Sequence, residues 1–314
     1  MENKDFLNYS IIVPIYNEKE SVLDLHQRIN KTMENIDKSY EIIFIDDGST
    51  DKSFEIIKSL SPLKIIRFRK NFGQTAALDA GIKASRGEIL ITLDGDGQNP
   101  PEEIPKLLKK LKKGYDVVSG WRYPRHDPFF KKLFSKGAEY LRSFLIKDNI
   151  HDSGCTLKVF KKECFEDLDL YGEMHRFIPA ILRWQGFKIE EVKVKHEERK
   201  YGHSKYNWKR IMRGFIDAWS VWFWRKYSSR PLHLFGGLGI MIGGAGSLIL
   251  TFLAIGRFLG YFTLSNRIWP IISVFMILAG LQLFISGLLA DIAVKTYYNG
   301  KRKSYNIKEI INNP

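Results

Sequence analysis

The sequence predicts an α/β fold with a doubly wound, mostly parallel sheet, followed by interfacial amphipathic helices and a two-helix transmembrane hairpin. Short apolar runs alternate with helical patterns over residues 10–120. Acidic or other polar residues follow several of these runs, and hydropathy rises sharply near Pro231. Because strands that alternate with helices usually pair in parallel, with helices on both faces, the first part of the chain is interpreted as one α/β domain.

Five largely apolar runs are interpreted as strands, and the fourth, which has no polar alternation, as a strand buried on both faces. They occupy residues 10–14, 41–45, 64–68, 89–93 and 115–120. Helical patterns separate the runs, at residues 22–33, 52–60 and 74–84 and from Pro100 onward. The last of these helices begins with prolines and glutamates, which favour the first turn of a helix.

The polar residues after the strands should converge, since the carboxyl ends of parallel strands meet at one edge of a sheet. The fourth run ends in Asp94-Gly95-Asp96-Gly97-Gln98. Two carboxylates at the end of a buried strand are costly unless a cation or a ligand compensates them. Hard oxygen ligands at this spacing suit Mg²⁺ or Mn²⁺ shared with a substrate diphosphate, whereas Asp-Gly also forms ordinary solvated turns. These residues alone favour the two interpretations about equally.

The formal net charge of +14 over 314 residues indicates an anionic partner: nucleic acid, a phosphate substrate or an acidic membrane surface. The two cysteines, Cys155 and Cys164, have neither the spacing of a zinc site nor a disulfide framework. A reducing compartment fits this usage. The polar N-terminus has no apolar region typical of a cleaved signal peptide.

Two stretches, residues 232–256 and 268–294, are almost wholly apolar, and each exceeds the roughly 20 residues that span a bilayer. Lysine and arginine flank both outer ends, so the positive-inside rule places both ends in the cytoplasm. The chain is therefore expected to be a multi-pass integral membrane protein with a cytoplasmic catalytic domain and cytoplasmic termini. Two buried core helices are the alternative.

Two further segments are predicted to be amphipathic helices with basic residues, at 129–145 and 207–227. The second ends just before the first span, as an interfacial helix would, while core packing is the alternative for both. The expected domains are a cytoplasmic domain over 1–205, a juxtamembrane helix over 206–230, the hairpin over 231–295 and a basic cytoplasmic tail over 296–314.

Four motifs in order resemble the family 2 inverting glycosyltransferases, and among them the polyprenyl-phosphate hexosyltransferases. They are Val13-Pro14-Ile15-Tyr16-Asn17-Glu18, Asp46-Asp47-Gly48-Ser49-Thr50-Asp51, Asn71-Phe72-Gly73 and Asp94-Gly95-Asp96-Gly97-Gln98-Asn99-Pro100-Pro101. Each motif is weak alone, and four in this order are specific. The resemblance covers about residues 10–205 and implies the type A nucleotide-sugar transferase fold.

The resemblance also implies roles for the matching residues. Binding of the nucleotide sugar would involve Pro14, Tyr16, Asn17, Glu18, Asp46, Asp47, Asp94, Gln98, Arg199 and Lys205. The metal would be held by Asp94, Asp96 and Gln98, and the acceptor phosphate by Arg122, Lys131 and Ser135. Catalytic positions would be Asp96, Asp152 and Arg122, with Asp152 orienting the sugar or acceptor rather than acting as an obligatory base.

The function that the resemblance implies is transfer of a hexose, with inversion, from GDP-mannose or UDP-glucose to a dolichyl or undecaprenyl phosphate. The product would be a lipid-linked sugar donor for glycan or cell-surface polysaccharide assembly. Expected partners are the nucleotide sugar, the polyprenyl phosphate and membrane lipid, with no nucleic acid and with a homo-oligomer left open. The alternatives are a processive polysaccharide synthase and a non-catalytic scaffold that binds anionic lipid.

Overall fold

A computed structural model describes residues 7–123, 150–166, 168–170, 172, 174–197, 231–261, 263, 268–299 and 307–313. The chain forms two units: Met1–Ala218 together with Lys303–Pro314, and Trp219–Arg302. Several predictions lie outside the described residues: the amphipathic helices at 129–145 and 207–227, and the site residues Lys131, Ser135, Arg199 and Lys205.

The first unit is built on one eight-stranded sheet with the order β7-β5-β6-β4-β1-β2-β3-β8. The strands are β1 (Tyr9–Ile15), β2 (Tyr40–Asp46), β3 (Leu63–Phe68), β4 (Ile89–Thr92), β5 (Val117–Arg122), β6 (Lys158–Lys161), β7 (Ile189–Val194) and β8 (Ile307–Asn313). Strand pairs β1–β2, β1–β4, β2–β3 and β5–β7 are parallel. Pairs β4–β6, β5–β6 and β3–β8 are antiparallel. The mostly parallel sheet is thus confirmed, and β6 and the edge strand β8 run antiparallel to the other six strands.

Helices cover both faces of this sheet. They are α1 (Val22–Glu34), α2 (Ser53–Lys58), α3 (Gln74–Ala84), α4 (Ile104–Leu111) and α5 (Ile178–Trp184). Side chains from α1, α2 and α4 share one core with Ile11 and Val13 of β1, whereas α3 and α5 share the other with Ile12. Because successive residues of β1 enter opposite cores, its uninterrupted apolar run follows directly from burial on both faces.

The register brings the ends of the central strands to one edge. Ile15 is opposite Asp46 at the ends of β1 and β2, and Ile12 is opposite Thr92 of β4. Leu93 continues from β4 and donates its N–H to the Ile12 carbonyl over 3.3 Å. The segments that begin at Tyr16, Asp47 and Asp94 therefore leave the sheet side by side.

Residues 307–313 do not belong to a separate basic tail, as the sequence interpretation had it. They form β8, which pairs antiparallel with β3, with Ile310 opposite Ile66 and Ile311 opposite Ile65. The strand has seven residues, and the lysine and glutamate within it resemble a solvated segment. Its structure depends on a partner strand about 240 residues earlier in the chain, which no local pattern indicates.

The second unit contains α6 (Pro231–Phe258) and α7 (Trp269–Asn299). Both helices are long and apolar enough to cross a membrane, over 28 residues in α6 and over Trp269–Ala293 in α7. Gly239 and Gly280 bring the two backbones together, because a Cβ on either would lie 2.5 Å from the carbonyl oxygen of the other. The close packing of small residues that stabilises membrane helices is therefore used within this hairpin.

Candidate active site

The loop of Asp94–Gln98, here called the acid loop, lies against the end of β1. A Cβ on Gly95 would come within 2.7 Å of Ile15 Cδ1 and 3.0 Å of the Pro14 carbonyl oxygen. The Ser21 hydroxyl, beside the start of α1, donates to the Gly95 carbonyl over 2.7 Å. Glycine is required here because the loop approaches a neighbouring backbone closely.

The two carboxylates of the acid loop are held by hydrogen bonds, and the charge of Asp96 acts on Asp94. Asp94 Oδ1 accepts a 2.6 Å hydrogen bond from Gln74 Nε2, at the first residue of α3. Burial, and then the charge of Asp96, raise the pKa of Asp94, while Thr156, Lys158 and Arg122 act in the opposite direction. Asp96 Oδ1 accepts the backbone N–H of Gln98 over 3.1 Å, which fixes the turn. A cation at this position would stabilise both ionised carboxylates.

A small cavity adjoins Asp94, and its lining includes Gln74, Thr156, Lys158 and His175. Lys158 on β6 is only 3% exposed. Burial lowers the pKa of Lys158, while the neighbouring charges of Cys155, Asp152 and Asp94 raise it. Sequence reasoning missed this lysine, because Lys158 and Lys161 flank a short Val-Phe pair and no local signal distinguishes the buried lysine from the exposed one.

Arg122, the last residue of β5, is paired with Asp152. Its Nε donates to Asp152 Oδ2 over 2.7 Å and its Nη2 to Oδ1 over 2.8 Å. Glu191 on β7 in turn accepts the backbone N–H groups of His151 and Asp152. This bidentate pair fixes one edge of the guanidinium and leaves the N–H groups of Nη1 for another anion.

The loop after β2 is connected to the start of α3 by Asp47. Its Oδ1 accepts the N–H of Phe72 over 2.7 Å, and its Oδ2 accepts the N–H of Gly73 over 2.9 Å. Burial raises the pKa of Asp47, which these two hydrogen bonds oppose and the charge of Asp46 reinforces. Gly48 has φ +70°, and a Cβ there would lie 2.5 Å from the Lys70 carbonyl carbon. The Asp-Gly and Asn-Phe-Gly motifs are thus in direct contact with each other.

The side chains of Asp46 and Asn17 bind other residues of the protein. Asp46 is fully buried, where its Oδ1 accepts the N–H of Ser49 and its Oδ2 lies 3.3 Å from Arg67 Nε. Asn17, at φ 57°, accepts the N–H of Thr50 on its Oδ1 over 2.8 Å. Both side chains shape the loops that end β1 and β2, and Arg67 was not anticipated from the sequence.

The structure therefore brings most of the predicted site residues to one edge of the sheet. These are Pro14, Tyr16, Asn17, Glu18, Asp46, Asp47, Asp94, Asp96, Gln98, Arg122 and Asp152. Tyr16 is 38% exposed, and the Glu18 N–H is held by the Ser53 hydroxyl over 2.8 Å. An edge with acids on the central strands and a fixed arginine on β5 can receive a metal-bound diphosphate beside a second anion.

Comparison with curated proteins finds relatives that match over almost the whole chain. Dodecaprenyl-phosphate galacturonate synthase of Rhizobium johnstonii is 36% identical, with 97% of this chain and 93% of the relative covered. Undecaprenyl-phosphate 4-deoxy-4-formamido-L-arabinose transferase of Proteus mirabilis is 30% identical, with 96% and 93% covered.

Solved structures share the fold at low sequence identity. Glucosyl-3-phosphoglycerate synthase of Mycobacterium tuberculosis gives a TM-score of 0.54 at 17% identity, with 70% of this chain and 80% of that chain covered. Mannosyl-3-phosphoglycerate synthase of Rubrobacter xylanophilus gives 0.57 at 15% identity, with 69% and 74% covered. Residues 10–169 match the sequence model described as Glycosyl transferase family 2. Together with the full-length relatives, this match makes the chain a glycosyltransferase of family 2.

Proposed function

We propose that this enzyme transfers a hexose from a nucleotide diphosphate sugar to the phosphate of a polyprenyl lipid, with inversion at the anomeric carbon. The observation that carries the proposal is the pairing of two features in one chain. Asp94 and Asp96 share an edge of the sheet with the Arg122–Asp152 pair, and two helices of membrane-spanning length follow. The relatives that match over almost the whole chain are named for dodecaprenyl and undecaprenyl phosphates, which supports the same acceptor class.

The donor site is proposed to include a divalent cation, Mg²⁺ or Mn²⁺, held by Asp94 and Asp96 with Gln98 beside them. Among the described residues no group of three or more His, Cys, Asp or Glu side chains is arranged to hold a metal ion. Two carboxylates therefore suit a cation that shares its remaining coordination with a substrate diphosphate. Such a cation offsets charge on the departing diphosphate. The raised pKa of Asp94 supports this assignment, since it reflects a buried carboxyl placed close to the charge of Asp96.

The acceptor phosphate is proposed to need no general base. A phosphate monoester has a second pKa near 6 and is largely ionised at neutral pH. One of its oxygens forms a bond to the anomeric carbon as the bond from that carbon to the diphosphate oxygen breaks, so the nucleoside diphosphate leaves with the electron pair. No proton has to move. Both Asp152 oxygens already accept hydrogen bonds from Arg122, which supports a positioning role for Asp152.

Both ends of the hairpin are proposed to face the cytoplasm with the catalytic unit. Lys and Arg flank the two outer ends, at residues 225–230 and 295–303. In addition, β8 follows the hairpin and pairs with β3, so the chain before and after the hairpin belongs to the same unit. A chain that crosses the membrane an even number of times returns to the side where it began, as this connectivity requires.

A homo-oligomer is proposed on the basis of one side chain in α7. The hydroxyls of the described parts of α6 and α7 bond to carbonyls within their own helix: Ser247, Thr251, Ser273, Ser286 and Thr296. Gln282, near the middle of the α7 span, is exposed, and its carboxamide makes no hydrogen bond to any described residue. A carboxamide is both donor and acceptor, so the same group on a second copy of the chain can satisfy it in the apolar core of a bilayer.

A panel assay tests the proposed reaction. Purified full-length protein in detergent receives a short polyprenyl phosphate and, in turn, GDP-mannose, UDP-glucose, a UDP-uronic acid or a UDP-aminoarabinose derivative. We expect one donor to yield a polyprenyl-phosphate sugar whose anomeric NMR coupling shows inversion. Retention of configuration, transfer of the aminoarabinose (a pentose) alone, or no lipid product with any donor, contradicts the proposal.

Two measurements separate the alternative functions: product analysis in the same assay, and thermal unfolding with nucleotide. A processive polysaccharide synthase would form polymer from nucleotide sugar alone, without added lipid phosphate. A non-catalytic scaffold would show no metal-dependent thermal protection by UDP or GDP.

A further inference from the structure

Arg28 on α1 forms the most extensive side-chain ion pair among the described residues of the catalytic unit. Its Nε and Nη2 donate to the two oxygens of Glu102 over 3.0 and 2.8 Å. Its Nη1 and Nη2 donate to the two oxygens of Glu197 over 3.2 and 3.0 Å. The Arg28 side chain is 19% exposed. One guanidinium thus binds two carboxylates, each through both oxygens.

The two glutamates are connected to the C-terminal end of the acid loop. Glu102 is in the short 3₁₀ turn Pro101–Glu103 that follows the loop along the chain. Glu197 comes from the segment after β7, and its backbone N–H donates to the Gln98 carbonyl over 2.9 Å. Arg28 therefore fixes the last residue of the acid loop through one partner and the turn beyond it through the other.

A second contact, from the N-terminal end of α1, fixes the beginning of the loop. Ser21 immediately precedes α1, and its hydroxyl donates to the Gly95 carbonyl. Ser21 and Arg28 are seven residues apart, a spacing that places both on one face of a helix. The acid loop is thus attached to α1 at Gly95 and, by way of Glu197, at Gln98.

We propose that Arg28 is a positioning residue for cation binding by the acid loop. The inference rests on the proposed function, in which Asp94 and Asp96 hold a divalent cation. Mg²⁺ and Mn²⁺ are bound through oxygens in near-octahedral geometry, so a loop fixed at both ends holds its carboxylates closer to the required positions than a free one. The planar guanidinium fork is suited to two bidentate carboxylates, which a lysine ammonium cannot reproduce.

The test measures Mn²⁺ binding to purified full-length protein by electron paramagnetic resonance, with UDP or GDP present to supply the diphosphate oxygens. Outer contacts of this kind typically change metal affinity by about 10- to 100-fold, so Arg28→Met should weaken Mn²⁺ binding by that order. The Mn²⁺ affinity of Arg28→Lys, which keeps the charge but loses the planar guanidinium, should lie between those of Arg28→Met and the wild type. In assays of the reaction, the Mn²⁺ concentration at half-maximal rate should rise in the same order.

Lys83→Met is the matched control. Lys83 on α3 also joins two carboxylates, those of Asp79 and Asp169, at 2.9 and 2.5 Å, but neither contacts the acid loop. Its loss should lower thermal stability and leave Mn²⁺ binding unchanged.

Two outcomes overturn the inference while the proposed function stands: Arg28→Met binding Mn²⁺ as tightly as the wild type, or Lys83→Met weakening binding equally. A wild-type protein that binds no Mn²⁺ overturns the proposed cation site itself. If Arg28→Met does not fold, Arg28→Lys and Glu197→Gln decide the question in the same measurement.

Discussion

At the scale of single residues, many polar side chains of the candidate site are held by the protein before any substrate arrives. Asp47 accepts two backbone N–H groups, and both oxygens of Asp152 accept from Arg122. Asp94 accepts a hydrogen bond from Gln74 and also lines the small cavity beside the acid loop. The carboxylates of this edge thus divide into those that fix loops or an arginine and Asp94, which adjoins a cavity.

Replacing Asp152 by asparagine should reduce activity without abolishing it. The change removes the charge that orients Arg122, and a hydrogen bond between charged groups contributes about 1.5–3 kcal/mol, or roughly 10- to 100-fold in the KM for polyprenyl phosphate. Steady-state kinetics with varied lipid phosphate would measure this effect. An activity loss as complete as that of Asp94→Ala would instead assign a chemical role to Asp152.

Gly95→Ala should disturb the acid loop from within. The added methyl group would lie 2.7 Å from Ile15 Cδ1 and 3.0 Å from the Pro14 carbonyl oxygen, and overpacking of this kind costs about 1–3 kcal/mol. We expect a lower thermal midpoint and weaker Mn²⁺ binding. Gly244→Ala, with no atom within 4 Å of the new Cβ, is the control and should change neither. Unchanged Mn²⁺ binding in Gly95→Ala would show that the loop tolerates displacement.

At the scale of elements, alternation and apolar runs predicted β1 to β5 and the helices between them, because burial on both faces leaves a strong local signal. The helix at 74–84 was predicted with the bounds that α3 has. Strands β6, β7 and β8 were missed. β6 has only four residues, two of them lysines, and β8 depends on pairing with β3 across nearly the whole chain. Such strands are defined by their partners rather than by their own composition.

The residues of the candidate site were predicted or missed for the same reason. The acid loop and the Asp-Gly turn were found because they form contiguous motifs. Lys158, Arg67 and the Arg28–Glu197 pair were not, because their significance comes from burial and from contacts between distant segments. Sequence patterns locate ligand-binding loops better than the residues that hold those loops in place.

Ending the chain after residue 305 should destabilise the catalytic unit. Six residue pairs join β8 to β3, and cross-strand pairs contribute roughly 0.2–1 kcal/mol each, so the loss should be about 1–6 kcal/mol. Because Arg67 lies on β3 and pairs with Asp46, binding of UDP or GDP should weaken as well. Thermal unfolding with and without nucleotide would measure both effects, with the exposed Asn312→Ala as control. A truncated protein with the wild-type midpoint would show that β8 contributes nothing to stability.

At the scale of the whole molecule, the chain joins an α/β catalytic unit to a hairpin in which Gly239, Gly246 and Gly280 pack against the facing helix. A homo-oligomer would need contacts on the outward faces of the hairpin, and the exposed Gln282 offers one. Gln282→Leu should weaken self-association in liposomes by roughly 3- to 30-fold, the equivalent of about 0.6–2 kcal/mol for an interhelical hydrogen bond. Energy transfer between labelled copies at varied protein-to-lipid ratios would measure this.

Ser247→Ala removes a hydroxyl that is satisfied within α6 and should leave association unchanged. Cysteine cross-linking gives a second measure, since the native Cys155 and Cys164 are buried. Gln282→Cys should form cross-linked dimers, whereas Met276→Cys, which replaces a residue packed against Gly246, should not. Equal association of Gln282→Leu and the wild type would remove the basis for an oligomer.

The pairing of β8 with β3 also constrains the order of biosynthesis. The ribosome completes β3 long before it reaches residue 307, and both apolar helices emerge in between. The β3 edge must therefore remain open while the hairpin is delivered to the bilayer, and an open edge is a template for wrong pairing. In the proposed topology, the second helix returns the chain to the side where it started, and only then can β8 join the sheet. A chain that crossed the bilayer once would leave that sheet one strand short.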